Sequence, residues 1–274
     1  MQATAVQATV DRLRQAPKYR QVHPDTISDI VRQEAPHAAS AADLERRARL
    51  RLHRAVAGYL LTGRSARLLR GLDEAICGGG EATRAWCRGV LASHVSTAER
   101  LGDLDRLYPT ILGVTGAAAT VADLACALNP FTIPWLRQVT DARYTGYDLN
   151  LSYVTIGAQF LARADPAATV LHQDVLVHPE EIRADVALLL KTYHCIDDRT
   201  PGAALRLVDG IAASSVVISF PVRSIGGRAA RFTGPHIEAL AELARRRHWE
   251  LRRAALASEE LIVIIKDDGH GRDG

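Results

Sequence analysis

Three acidic residues in the second half of the chain stand where short apolar runs end, and their spacing suits recognition of a nucleoside. Val121-Ala122-Asp123-Leu124 leads into Ala125-Cys126-Ala127-Leu128-Asn129-Pro130, small residues that let a backbone come close to a bound nucleoside. The next run ends in Tyr147-Asp148, where a carboxylate can accept from both hydroxyls of a ribose. The third is followed by Gln173-Asp174-Val175, which puts another carboxylate where an adenine amino group can donate to it. A lone Asp after a strand is usually a cap or turn residue, but three in succession point to S-adenosylmethionine. A nicotinamide site would also place an acid after its second strand, yet it requires G-x-G-x-x-G after the first. Residues 125–130 contain no glycine.

The elements that must hold these residues follow from periodicity. From Thr120 onward, short apolar runs alternate with helical stretches, which predicts a sheet with helices on its faces. The expected strands are Thr120–Leu124, Arg143–Tyr147, Thr169–His172, Val186–Leu190, Val216–Phe220, Trp249–Ala254 and Leu261–Lys266, the last two short enough in their connection to pair as a hairpin. The fold class is therefore α/β: a Rossmann-like, doubly wound, seven-stranded sheet ending in an antiparallel pair, with ligands bound beyond the carboxyl ends of its strands. Up to about residue 113 the pattern is helical instead, so an all-helical domain (1–113) is expected before the sheet domain (114–274). One helix there carries Leu44, Ala48, Leu52, Val56 and Tyr59 on one face and Arg47, Arg51 and Arg54 on another. Ser96-Thr97-Ala98-Glu99 has capping-box spacing and predicts a helix starting near Ser96, with Arg100 in its first turn.

The chain has 274 residues, 47% of them hydrophobic, enough for a substantial core and against a disordered chain. No run approaches the ~20 apolar residues of a membrane span, and the first residues lack a signal peptide's order of charge and apolarity. A cytoplasmic location without membrane association is expected. Cys77, Cys87, Cys126 and Cys195 form no CxxC pair and have no His at zinc-ligand spacing, so reduced, buried thiols and no metal are expected. The net charge of +3 is uneven: residues 1–100 hold 16 Lys and Arg against 10 Asp and Glu. Only Lys18, Lys191 and Lys266 are lysines, and guanidinium groups suit phosphate contacts and base stacking.

Several segments resemble the aminoglycoside-resistance 16S ribosomal RNA guanine-N7 methyltransferases of antibiotic producers. They are Lys18-Tyr19-Arg20 with Pro24-Asp25-Thr26-Ile27, His94-Val95-Ser96-Thr97-Ala98-Glu99-Arg100-Leu101, the loop Asp123 to Pro130, Leu188-Leu189-Leu190-Lys191, and Ser219-Phe220-Pro221-Val222-Arg223-Ser224-Ile225-Gly226-Gly227-Arg228. Their order covers roughly residues 15 to 266. The resemblance implies a helical RNA-binding domain before a Rossmann-like methyltransferase domain, S-adenosylmethionine as cofactor, and 16S rRNA within the small ribosomal subunit as partner. It also implies that His94, Val95, Ser96 and Arg100 hold the methionine end of the cofactor, Arg100 pairing its carboxylate. Ala125 would line the loop beneath it, Asp148 bind the ribose, Asp174 and Val175 the adenine, and Leu190 pack nearby; Val56 and Arg199 complete the expected cofactor set. The chain departs from the family at Ala127, where a glycine is usual, and at Asp197 and Arg199, where the family has Glu and Gln.

Guanine N7 carries a lone pair and no proton, so methylation there needs positioning and charge stabilisation but no general base. This agrees with a sequence lacking Asn-Pro-Pro-Tyr and with Cys126 and Cys195 read as packing residues. Lys191, ending an apolar strand, is the expected catalytic residue, reaching a phosphate or base of the flipped nucleotide. RNA contact is expected from Lys18, Arg20, Arg47, Arg51 and Arg54, and from Arg223, Arg228 and Arg231 around Gly226-Gly227. Methylation of a neighbouring adenine at N1, a non-catalytic ribosome-binding factor, and a small-molecule methyltransferase are the competing readings.

Overall fold

The computed structural model describes residues 3–56, 65–222 and 233–266. Helices α1 (Ala3–Gln15), α2 (Pro24–Glu34) and α3 (Ala41–Val56) open the chain. The i, i+4 row Leu44, Ala48, Leu52 is fully buried against Val10, Leu13, Ile27, Ile30 and Val31, so these helices form a small core of their own. Pro24 opens α2, and the His23 ring accepts from the Asp25 N–H to cap it.

Next come α4 (Ser65–Leu68), α5 (Leu72–Cys77), α6 (Gly79–Leu91), α7 (Val95–Ala98) and α8 (Leu104–Thr115). Their apolar faces, including Leu72, Cys87, Leu91, Leu107 and Ile111, share a core with sheet residues such as Val121, Leu188 and Val217. Helix α7 differs from expectation. It starts at Val95 with His94 as its cap residue and lasts one turn, while the Ser96 hydroxyl bonds the His94 ring at 2.9 Å. No capping box forms, because the Glu99 carboxylate is taken by Lys191 at 2.7 Å, and Arg100 follows the helix instead of lying in it.

The strands are β1 (Thr120–Leu124), β2 (Arg143–Asp148), β3 (Thr169–His172), β4 (Arg183–Leu190), β5 (Ala212–Pro221), β6 (Glu250–Ala255) and β7 (Glu259–Ile265), in the order β3-β2-β1-β4-β5-β7-β6. The first five run parallel, and β7 inserts antiparallel between β5 and β6. Strands β4 and β5 begin earlier than their apolar runs, because Arg183 pairs with Ala212, and a ladder needs only backbone partners at its exposed end. Asp185 secures that end by accepting from the Ala119 and Thr120 N–H groups at 2.7 and 2.8 Å.

Helices α9 (Ile133–Leu136) and α10 (Leu151–Ala164) lie on the face covered by α8, and α11 (Tyr193–Arg199), α12 (Ala203–Gly210) and α13 (Thr233–Arg247) on the other. Alternation along β4 explains the division: Val186, Leu188 and Leu190 enter one core, Ala187 and Leu189 the other. Among the described residues no helix is long and apolar enough to cross a membrane. The cysteines are free, as expected, but only Cys87 and Cys126 are buried; Cys77 is exposed and Cys195 half-buried. They lie on helix faces that point partly outward, which composition does not disclose.

Candidate functional site

Strand order reverses at β1, opening a crevice between β1 and β4 at the carboxyl edge of the sheet, where α/β folds bind ligands. Asp174 follows β3, Asp148 ends β2, Ala125 follows β1, Leu190 ends β4, Ser219 lies near the end of β5, and Glu259 begins the antiparallel β7 opposite Pro221. The expected residues thus line one edge in strand order, joined by two that sequence reading missed, Ser219 and Glu259.

At the β1–β2 junction, Asp148 Oδ2 accepts from the Ala127 N–H at 2.9 Å and Oδ1 from the Asn150 N–H at 2.7 Å. Burial raises this carboxyl to about 6, against the pull of those N–H groups, and the neighbouring Asp174 charge adds to the rise. The loop it holds is bent tightly. Ala125 and Ala127 have φ of 53° and 44°, so two residues with Cβ occupy the left-handed region where glycine is usual. Both are partly exposed, and Ala127 packs in part against the core. Beneath them Asp123 is fully buried, accepts from the Tyr144 hydroxyl at 2.7 Å, and is raised to about 6 by burial.

A second cluster joins β4, β7 and the segment after α7. Arg100, expected to meet a ligand carboxylate, is 1% exposed and donates from Nε and Nη2 to Glu259 at 2.6 and 3.0 Å and from Nη1 to Asn129 at 2.9 Å. Burial opposes the charge on Glu259, yet Arg100 holds its carboxyl below the usual range. Lys191 is placed differently from a strand-end lysine reaching outward. Its Nζ lies 2.7 Å from Glu99 and 3.5 Å from Glu259, its side chain is 4% exposed, and its φ is 60°. Its backbone N–H donates to the Ser219 hydroxyl at 2.9 Å. Desolvation turns the ammonium toward two carboxylates. His94 is half-buried with its ring edge-on to Tyr153, and burial lowers its pKa, favouring the neutral ring. Val95 is 56% exposed, and Leu190 is buried.

The third cluster surrounds Asp174, which accepts from Thr26 of α2 and is paired with Arg199 of α11 at 2.6 Å, while Val175 beside it is buried. Arg199 therefore meets Asp174, and also Asp29 at 2.9 Å, instead of projecting into the crevice. A cavity of about 260 Å³ opens at this junction, bordered by Asp29, Gln33, Val175, Thr200 and Leu207.

The basic residues divide. Lys18, Arg20 and Arg54 are exposed, and Lys18 Nζ donates to the His53 ring at 3.1 Å. Arg47 is partly exposed and pairs with Asp43 and Glu34. Arg51, also expected to face RNA, has its guanidinium turned inward to Glu34, Gln33, Thr200 and the Arg199 carbonyl. It sits one turn from Arg47 but on the flank facing α11. Arg223, Arg228 and Arg231 lie outside the described residues, as does the side chain of Val56. His178, Glu180 and Glu181 bring three metal-type donors together at the surface, none of them a cysteine.

Residues 15–264 match the family described as Ribosomal RNA methyltransferase (FmrO). The 16S rRNA (guanine(1405)-N(7))-methyltransferase of Micromonospora echinospora is 29% identical over 97% of this chain and 100% of its own length. The enzyme of the same name from Frankia casuarinae is 31% identical over 94% and 93%. The crystal structure of the 16S rRNA methyltransferase RmtF in complex with S-adenosyl-L-homocysteine superposes with a TM-score of 0.78 at 25% identity, covering 97% of this chain and 99% of that one.

Proposed function

The chain belongs to the ribosomal RNA methyltransferase (FmrO) family, and on that premise we propose that it transfers a methyl group from S-adenosylmethionine to N7 of a guanine in the decoding site of 16S rRNA. The substrate is the small ribosomal subunit, and the consequence is aminoglycoside resistance. The observation that carries this reading is the placement of Asp148 at the tip of β2, against the loop that follows β1.

The donor set fits the cofactor. Asp148 offers lone pairs for two ribose hydroxyls, Asp174 an acceptor for an adenine amino group, and the partly exposed 125–127 backbone a surface beside them. Val175 and Leu190 supply apolar contact. His94, Val95, Ser96 and the Arg100 N–H groups not turned to Glu259 or Asn129 take the methionine end. When bound, S-adenosylmethionine supplies an electrophilic methyl group on a sulfonium centre.

This chain's own work is then positioning. Because guanine N7 has no proton to lose, no residue need act as a base, and burial raises the Cys126 thiol far from reactivity. Lys191 orients the target nucleotide: Glu99, whose side chain is 34% exposed, gives way when RNA brings a competing acceptor to the ammonium. The helical part of the chain, residues 1–113, grips the rRNA through Lys18, Arg20, Arg54 and, more weakly, the ion-paired Arg47. A methylated N7 loses its acceptor and gains positive charge, which disfavours a cationic drug.

The test is transfer of labelled methyl groups to purified small subunits, with the modified base mapped. One guanine gains an N7 methyl, Asp148→Ala loses cofactor binding, and Lys191→Ala retains cofactor while losing transfer. Label at an adenine N1 would reassign the target, and cofactor binding without label would leave a ribosome-binding factor.

A further inference from the structure

Asp174 is 1% exposed, and its setting comes from a part of the chain remote in sequence. Thr26, itself fully buried in α2, donates its hydroxyl to Asp174 Oδ2 at 2.5 Å, and Arg199 Nη1 meets the same oxygen at 2.6 Å. Asp174 Oδ1 accepts only the Leu176 N–H at 3.0 Å among the described residues. A carboxylate oxygen has about two lone-pair sites, so Oδ2 is filled and one acceptor site on Oδ1 is left with a fixed direction.

Arg199 is held just as firmly. Its Nη2 meets Asp29 of α2 at 2.9 Å, and its carbonyl accepts from Arg51 of α3 at 3.0 and 3.1 Å. With its side chain 4% exposed and its Nε without a hydrogen-bond partner among the described residues, it keeps an uncomfortable buried position for the sake of these two carboxylates.

We propose that Arg199 and Thr26 are positioning residues for the cofactor's adenine, orienting Asp174 so that Oδ1 alone receives the exocyclic amino group. This rests on the reading above that Asp174 takes the adenine. It goes further by making α2 and α3 part of the cofactor site: the first helices set cofactor selectivity as well as gripping RNA. A fixed Oδ1 acceptor favours a purine that carries an amino group and rejects one that carries a carbonyl there.

The test is calorimetric binding of S-adenosylhomocysteine and of S-inosylhomocysteine, which replaces that amino group with an oxygen, to full-length wild type, Arg199→Gln, Arg199→Lys and Thr26→Val, with thermal melting alongside. Wild type prefers the adenosyl compound. Arg199→Gln weakens it on the order of tenfold to a hundredfold, as expected for a charge-assisted contact, while inosyl binding stays nearly unchanged and the preference collapses. Arg199→Lys recovers part of the preference, and Thr26→Val loses part of it at a melting temperature close to wild type. Equal weakening of both compounds in the variants, or an unchanged preference in Thr26→Val and Arg199→Lys, overturns the proposal. A wild type that binds with this preference but leaves ribosomal subunits unlabelled refutes the proposed function and spares the inference. A wild type without any preference refutes the role of Asp174 and the inference with it.

Discussion

Glu259 and Arg100, 159 residues apart in sequence, form a two-point ion pair of 2.6 and 3.0 Å with side chains 0% and 1% exposed. The pair ties the final hairpin to the segment after α7, and Lys191 leans on the same carboxylate.

Removing one partner of such a pair strands a buried charge, so Glu259→Ala should cost roughly 3–5 kcal/mol of stability. Glu259→Gln, which keeps shape and one acceptor, should cost less. Urea unfolding of the two variants checks this, and equal, small losses would mean that solvent reaches the pair.

Cofactor binding should weaken in acid. The Asp148 carboxyl is raised to about 6 in the free protein, and a ribose that donates to it favours the ionised form. Protons therefore compete with the ligand below pH 6, and affinity at pH 5 should be roughly tenfold lower than at pH 7.5. Asp148→Asn should bind weakly and lose the pH dependence, a comparison made by calorimetry at both values.

Stability should move the opposite way with pH. Asp123 and Asp148 both sit near 6, above the ordinary carboxylate value of 3.8, so the folded chain binds more protons than the unfolded one between these limits. Their contribution is present below the unfolded value and is lost as pH rises through about 6. Chemical unfolding of wild type and Asp148→Asn from pH 4.5 to 7.5 measures it: the variant should show the shallower fall.

Arg54 and Arg51 are one turn apart but should behave differently. Arg54→Ala should weaken binding to small subunits and reduce the slope of log affinity against log salt by about 0.7–0.9, one phosphate contact. Arg51→Ala should lower the melting temperature, because it loses its bonds to Glu34, Gln33 and the Arg199 carbonyl. Salt-dependent filter binding and thermal melting separate the two.

Ala127→Gly should be neutral to mildly stabilising, by up to about 1.5 kcal/mol. Relief of a left-handed φ of 44° is worth roughly 1–2 kcal/mol, and the added freedom of glycine in the unfolded chain takes back roughly 0.5–1. A clear loss of stability would show that the Ala127 methyl packs usefully.

Much of the molecule was legible in the sequence because its determinants are local. Apolar runs of strand length located all seven strands, with β1 and β3 at their observed limits, because runs of that length bounded by turn residues mark strands whatever the chain does between them. Asp148 and Asp174 lie at one sheet edge, as their positions after apolar runs implied, because the carboxyl ends of consecutive parallel strands fall on one edge whatever the intervening helices are. The helical spacing of Leu44, Ala48 and Leu52 likewise announced a buried face.

What only the tertiary structure decided is which charges meet. Nothing in the sequence distinguishes Arg51, turned inward, from Arg54, exposed, because a guanidinium at the margin of a buried face takes whichever acceptors the neighbouring element brings. Ser96 and Glu99 have capping-box spacing, yet Glu99 is drawn to Lys191 from the end of a strand 92 residues away. Glu259 escaped notice in a short polar turn, although it neutralises Arg100 and approaches Lys191. Hydrophobic burial is encoded by local periodicity, whereas a buried charge is satisfied by partners that only the completed fold brings within reach.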